Sequence, residues 1–557
     1  MPRFLLVLIL TAVVGYFAAQ LLFRDQEEKV VETDQQTGKV YVDPNQLTNH
    51  PSASNNGPRP ALTARRPEGP FVSNERLLRF RTDEAYQAAL ARLEQEKGAR
   101  LLRAFPDLRA IQIGFRNRAE LESALGEDGE ALFNYMATIP LPPRPGSDPN
   151  AVPFNTSPLP YLGVTTDNIS WGEGVTIAVL DSGIQDHVTF GDNIKPQVNI
   201  VPPPADGEQH PHGPAVTSPI AGQDPRLRGI SPAATIQPVR IIDEQGTTND
   251  AHILAGLNAA QTSGADIVVM ALGGGSFNPL VAEKIQTLHQ QGIAVVVSSG
   301  NEGLTTPSYP SRYEGAYAIG AIDSNGRVAN FSNSGEALDF VAPGVGVPTA
   351  YGDDLVATSS GTSFAAPLFA GAVAAIQSGS GLNAVQVIEQ EIRPYLNDVG
   401  APGPDLESGQ GVPNMARIFR RDEPSVVDVA VTANHFHTDD SRSGHNDLTP
   451  GLHVVVENQG TTTSPPAELM SQIGTSQFTH QVPGMRPGEE RSFFIPGATG
   501  PEFTGEGRLP SVTSGVRLRD PGADQTPGNN RLRTAFPVPV APESSSFQSN
   551  ASESSAE

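Results

Sequence analysis

Four short segments carry side chains that could together break an amide bond. VTIAVLDSGI ends an apolar run in Asp181, HGPAVTSPIAG opens with His212, VVVSSGNEG leaves a second apolar run at Asn301, and SSGTSFAAPLFAGAVAA sets Ser363 at the head of an Ala/Gly-rich stretch. Amide hydrolysis needs a nucleophile, a base to take its proton, an acid to orient and charge-balance that base, and a donor for the developing oxyanion. Ser363, His212, Asp181 and Asn301 supply those four parts. Singly, each segment has a plainer reading: an aspartate after a strand is a turn residue, a His-Gly pair is structural, and GTS before a helix is an N-cap. Their joint occurrence in one block points to a hydrolytic centre.

The elements that must position these residues can be read from the same block, residues 161–420. VTIAVLDSG, TIQPVRIID, DIVVMALGG, AVVVSSGN and YAIGAID read as strands, alternating with helical patterns around Ala251–Thr262, Pro279–Gln291 and Phe364–Gln377. Near-continuous Val/Ile/Ala strands are buried on both faces, the habit of parallel sheets covered by helices. The expected fold class is therefore α/β, a three-layer doubly wound parallel sheet. Open parallel sheets place functional groups at the carboxyl ends of their strands, where Asp181 and Asn301 fall.

The order Asp, His, Asn, Ser, with DSG, HG, SGNEG and GTSxAAP around them, resembles the subtilisin-type serine proteases (subtilases). The likeness covers roughly Tyr161 to Asp398, with further echoes at YPSRY (Tyr309–Tyr313), NFSNSG (Asn330–Gly335) and VAPG (Val341–Gly344). The resemblance implies that Ser363 Oγ attacks the peptide carbonyl, that His212 takes its proton and that Asp181 holds the imidazole. It implies an oxyanion hole made by the Asn301 amide and the Ser363 N–H, and a specificity cleft lined by MALGG: Met270, Ala271, Leu272, Gly273 and Gly274. That segment would pair with the substrate backbone as an added strand. The resemblance further implies protein or peptide substrates and no cofactor for the chemistry. Structural calcium is common in the family, but no motif here assigns its ligands.

The departures lie around the histidine. The family usually reads HGTHVAG, whereas here Pro214 replaces Thr, Ala215 replaces the second His, and Ser218-Pro219 replaces a Gly-aliphatic pair. Pro214 suits a first helical turn, but Pro219 removes an intrahelical bond to Ala215, so His212 is expected slightly off its usual direction. Of the other histidines, His210 is a decoy and His187 structural. The run HFHTDDSRSGHND, with His435, His437, Asp439, Asp440 and His445, reads as a solvated loop rather than a metal site.

Length and composition bound the rest. At 557 residues the chain should hold three to four folded units. The absence of cysteine excludes disulfides, thiolate zinc sites and a cysteine nucleophile, and a formal charge of -24 argues against nucleic acid as a partner. Residues 1–23 contain Phe4–Phe23, an uncharged run long enough to span a bilayer, read as an uncleaved anchor or a cleaved signal. Either way the chain is expected to be exported, anchored and facing the periplasm or exterior, or secreted.

Residues 24–70 read as a flexible spacer, 140–160 as an exposed Pro-rich connector open to cleavage, and 541–557 as a disordered tail. Residues 71–139 follow a strand, helix, strand, helix, strand pattern, a small α+β unit that resembles the family's inhibitory propeptide. In that case the chain is a zymogen inhibited by its own prodomain; a permanent docking domain is the other reading. Residues 424–540 read as an all-β sandwich, similar to the immunoglobulin-like (CARDB-like) modules of exported enzymes, with a spacer or a binding role. The rival to a peptidase is a catalytically inactive surface protein of the same fold acting in adhesion.

Overall fold

In the computed structural model the described residues are 69–95, 98–144, 151–164, 167–205, 207, 209–352, 354–397, 399, 404–437, 451–474, 476–496 and 511–535. The expectations for Phe4–Phe23, the spacer, the tail and residues 438–450 lie outside them. Among the described residues no single helix is long and apolar enough to cross a membrane.

The first unit is built from β1 (Phe71–Phe80), α1 (Asp83–Gln95), β2 (Arg100–Phe105), β3 (Ala110–Gly114), α2 (Arg118–Leu125) and β4 (Gly129–Thr138). The helix starts obey the expected caps: Thr82 Oγ accepts the Ala85 N–H at 3.2 Å, and the Asn117 side chain accepts that of Glu120 at 3.1 Å. The expected pattern lacked β2. RLLRAF has no clean alternation because it is a sheet-edge strand, with Leu101 39% exposed, so a period-2 search passes over it.

The second unit contains β5 (Thr176–Asp181), β6 (Val198–Asn199), α3 (His212–Ala221), β7 (Thr235–Arg240), β8 (Thr247–Asn249), α4 (Asp250–Thr262), β9 (Ile267–Met270), α5 (Pro279–Gln290), β10 (Ala294–Ser298), β11 (Ala316–Ile322), β12 (Phe340–Pro343), the hairpin β13 (Val347–Tyr351) and β14 (Leu355–Ser359), α6 (Thr362–Ser380), β15 (Leu396–Asn397), β16 (Val412–Pro413) and α7 (Met415–Phe419). Seven strands form one sheet in the order β12-β11-β10-β9-β5-β7-β6, with every pairing parallel. One face is covered by α3 and α6, the other by α4 and α5. This is the three-layer doubly wound α/β arrangement expected from the buried strands.

The sheet of the first unit runs β2-β3-β1-β4-β8, so its last strand continues into a strand of the second unit. Leu77, Phe105, Leu108 and Ala137 share a hydrophobic cluster with α4 and α5. The connector departs from the exposed reading in its second half. Val152, Phe154 and Leu159 are buried, and Phe154 N and Asn155 N donate to Val345 O and Gly346 O at 2.9 and 2.8 Å.

The third unit is a sandwich of two antiparallel sheets: β17 (Val429–His437), β18 (Gly451–Asn458) and β21 (Glu490–Pro496) on one side, and β20 (Ser476–Val482), β19 (Ala467–Ile473), β22 (Ser511–Leu518) and β23 (Arg531–Ala535) on the other. Val454, Val456, Leu469, Ile495, Val512 and Val516 fill the space between them.

Candidate active site

Asp181 ends β5 and is 1% exposed; His212 is the first residue of α3. The imidazole Nδ1 lies 3.0 Å from both Asp181 oxygens, with the histidine side chain only 9% exposed. The hydroxyl of Ser182 ties the two elements together. It donates to His210 O at 2.7 Å and accepts the Gly213 N–H at 3.0 Å. The Ser182 carbonyl is held in turn by the fully buried Arg240 guanidinium. The HG pair has a steric cause as well, because a Cβ on Gly213 would sit 1.7 Å from Gly183 O. Only glycine lets the helix start approach the aspartate turn this closely.

Pro219 does not detach His212 from Asp181. Pro219 lies inside α3 without an N–H to give, and the Ala215 carbonyl it leaves free accepts the Ser218 hydroxyl at 3.3 Å. The helix runs on to Ala221, and its first residue stays on Asp181.

Ser363 is the second residue of α6, 2% exposed, and its Oγ is buried with no hydrogen-bond partner. The ring of the next residue, Phe364, lies 6.2 Å from the His212 ring, which sets the imidazole beside the start of α6. Asn301 reaches the same point from the loop after β10. Its Oδ1 accepts the Thr362 N–H and the Thr362 hydroxyl, both at 2.9 Å, and Thr362 Oγ also accepts the Gly300 N–H at 3.2 Å. With the oxygen held inward, Nδ2 is left to donate to Leu141 O at 3.2 Å.

That Leu141 carbonyl belongs to the connector after β4. Residues 136–138 pair antiparallel with Thr247–Asn249, Ile139 N donates to Gly246 O at 2.9 Å, and Thr138 and Gly273 exchange bonds of 3.0 and 2.9 Å. The chain therefore crosses the site as an added strand between two edges. Gly273 and Gly274 form the cleft wall, and a Cβ on Gly274 would meet Met136 O at 3.0 Å. Met270, Ala271 and Leu272 are 0% exposed beneath the docked strand: Met270 and Leu272 share a hydrophobic cluster with Ala137 and Ile139 of that strand, and Ala271 belongs to the cluster on the other face of the sheet.

Sequence reasoning gave Asn333 no role in the site. Fully buried, it shapes the loop that carries Asn301: Nδ2 donates to Ser299 O at 3.1 Å and Glu302 Oε2 at 2.8 Å, and Oδ1 accepts the N–H groups of Glu302 and Leu304. Its sequence signal is NFSNSG, one of the family echoes. Thr362 was likewise read only as part of GTS.

His210 sits beside the site, its ring 6.2 Å from that of His212, and burial holds its pKa below the usual imidazole value. His187 joins its loop to the start of β14, accepting the Thr189 N–H at Nδ1 and meeting Leu355 O at 3.0 Å through Nε2. Among the described residues no group of three or more acidic or histidine side chains is arranged to hold a metal ion.

Residues 172–411 match the profile of the subtilase family. Subtilisin Savinase of Lederbergia lenta is 35% identical over 209 residues, which are 37% of this chain and 77% of Savinase. The chain belongs to the subtilase family. Membership makes it a serine endopeptidase acting on protein substrates. Alkaline elastase YaB of Bacillus sp. (strain YaB) is 34% identical over 209 residues, 37% of this subtilase and 55% of the elastase. Fervidolysin of Fervidobacterium pennivorans, described as a keratinolytic enzyme related to subtilisin, superposes with a TM-score of 0.54 over 80% of this subtilase and 71% of its own chain. At 17% identity that likeness speaks to the fold.

Proposed function

We propose that this subtilase is an exported zymogen whose Asp181, His212 and Ser363 form the catalytic triad and whose residues 71–139 act as its inhibitory prodomain. The observation that carries the reading is the strand 136–139 lying in the cleft and leading to Leu141 O on Asn301 Nδ2, beside the buried Ser363 hydroxyl. An intramolecular segment that makes the backbone bonds of a substrate blocks the site it occupies.

In the free enzyme His212 accepts the Ser363 proton at Nε2 while Asp181 keeps the proton on Nδ1 and stabilises the imidazolium that forms. The Ser363 hydroxyl, unpartnered in the docked state, completes its bond to the imidazole as substrate is bound, since catalytic contacts tighten in the productive complex. The Asn301 amide, fixed from behind by Thr362, donates to the oxyanion. His212 then returns the proton to the leaving amine. Cleavage within 140–160 releases the prodomain, and Phe4–Phe23 directs export as an anchor or a signal.

The prodomain is held by more than the cleft strand. Arg79 pairs with Glu283 at 2.7 Å, Lys284 with Asp107 at 2.7 Å, and Asn134 Oδ1 accepts the Ala251 N–H at the start of α4 at 3.0 Å. The test is a comparison of wild type with Ser363→Ala. The variant should accumulate as the full-length chain, cleave no casein and take up no fluorophosphonate, while N-terminal sequencing of the mature wild type should begin within 140–160. A Ser363→Ala protein that still processes itself and cleaves casein would sink the assignment.

A further inference from the structure

The seam between the peptidase block and the sandwich holds an arrangement that the chemistry at Ser363 does not use. In the antiparallel ladder of β18 and β21, Glu457 and Glu490 are direct partners, so both carboxylates leave the sheet on the same face. Glu457 is 0% exposed. Its Oε1 accepts the side-chain amides of Asn397 and Asn414, both from the peptidase block, and its Oε2 accepts Gln459 Nε2 at 3.1 Å. Glu490 Oε2 accepts the Tyr161 hydroxyl at 3.1 Å, and its Oε1 is buried without a partner.

The charged and titratable groups that face the pair do not neutralise it. Tyr161 comes from the start of the peptidase block, Asp323 from the turn after β11, and Arg417 from α7. The Arg417 guanidinium donates to Leu396 O at 2.8 Å and Asn397 Oδ1 at 3.0 Å, not to either carboxylate. Farther along the seam, Arg420 is paired with Asp428 at 3.0 Å. Two like charges opposed on adjacent strands and removed from water repel one another, and burial favours their neutral forms.

We infer that Glu457 and Glu490 form a proton-loaded latch: the sandwich docks on the peptidase block while the pair holds protons and lets go as alkaline solution removes them. Burial raises both carboxyls well above the ordinary glutamate value, and the Glu457 charge raises Glu490 further. Undocked, both return to the ordinary glutamate value near 4.3. A carboxyl whose pKa is raised on docking favours the docked form at low pH. Each proton held only in the docked form makes docking about tenfold weaker per pH unit. With two such protons the fall approaches about 100-fold per unit, and it levels off once the docked pair has lost both.

The chain contains no cysteine, so a dye pair on Glu173→Cys and Gln477→Cys, exposed positions in the two units, reports their separation. The measurement uses the full chain carrying Ser363→Ala, to prevent self-digestion, between pH 5 and 9.5. Energy transfer should fall reversibly as pH rises, and a Glu457→Gln/Glu490→Gln variant, which keeps one acceptor oxygen on each side chain and removes both charges, should stay docked throughout. Constant transfer in the parent, or the same fall in the double variant, overturns the latch. Should the double variant be undocked at every pH, Glu490→Gln alone decides: the transition must lose one of its two protons, and an unchanged slope overturns the proposal.

Discussion

Thr362→Val is the substitution that tests how the oxyanion donor is held. The methyl-for-hydroxyl exchange keeps the shape but deletes the 2.9 Å bond to Asn301 Oδ1 and the acceptor 3.2 Å from Gly300 N. Asn301 Oδ1 keeps its second anchor, the Thr362 N–H at 2.9 Å, so the amide is loosened rather than lost. Full loss of an oxyanion donor costs about 10²–10³ in turnover, a magnitude established for subtilisin itself. One of two neutral anchors is worth about 1 kcal/mol, which sets the expected fall in kcat at roughly fivefold, with KM unchanged. The orphaned Gly300 N–H adds a stability loss of about 1–3 kcal/mol. The assay is steady-state cleavage of a chromogenic peptide by the mature enzyme, with urea unfolding alongside. Thr362→Ser should restore both quantities. The decisive comparison repeats Thr362→Val on an Asn301→Ala background, where the hydroxyl has nothing left to orient and kcat should not fall further. An equal fivefold fall there would refute the claim that Thr362 acts through Asn301.

Gly213→Ala must open the contact with Gly183 O from 1.7 Å to an ordinary separation, which displaces the residue next to His212. A shift of about 1 Å costs roughly 10² in turnover, so the mature variant should fold but cleave peptide about 100-fold more slowly. Asp107→Ala leaves Lys284, 1% exposed, without its carboxylate across the prodomain interface. Unprocessed Ser363→Ala chain carrying this change should melt at a lower temperature than its parent by calorimetry, and more so than one carrying the exposed Arg118→Ala. Asp250, beneath the prodomain, accepts Tyr135 N at 3.0 Å and Asn278 Nδ2 at 2.7 Å, and burial raises its pKa to about 7. A raised carboxyl value opposes the folded state as pH climbs from about 4 to 7, so Asp250→Asn should stabilise the Ser363→Ala chain at pH 8 and not at pH 4, with roughly 4 kcal/mol as the ceiling.

What could be read from the sequence divides along physical lines. The parallel sheet was legible because buried Val/Ile/Ala strands have no polar face to obscure them, and β5, β7, β9, β10 and β11 fall where those runs lie. Asp181, His212, Asn301 and Ser363 were legible because each lies within two residues of a glycine with its own steric duty: Gly183, Gly213, Gly300 and Gly361. Gly213 permits the helix to touch the aspartate turn, and Gly361, at φ +151°, lets the chain enter α6 against the Asn301 amide. The supports of the site were not legible. Asn333 and Ser182 act through hydrogen bonds to backbone groups distant in sequence, and a single Asn or Ser carries no periodicity that announces such a partner.

The same geometry explains why inhibition and recognition use one set of contacts. β8 is three residues long and pairs with β4 in the sheet of the first unit; Gly246 and Gly273 complete the hold on residues 138 and 139. Withdrawal of that strand leaves backbone donors and acceptors on two facing edges, and unpaired edges favour another extended chain. Any peptide that replaces residues 136–139 inherits their register and brings a carbonyl toward Asn301. Gly274→Val places a branched side chain against Met136 O and Ala137 Cβ, 3.0 and 3.3 Å from where its Cβ must lie. It should therefore weaken the prodomain's hold and raise KM for peptides filling the same positions together, leaving peptides too short to reach them unaffected. A variant that lost inhibition while keeping KM for long peptides would show that the two strands do not share the cleft.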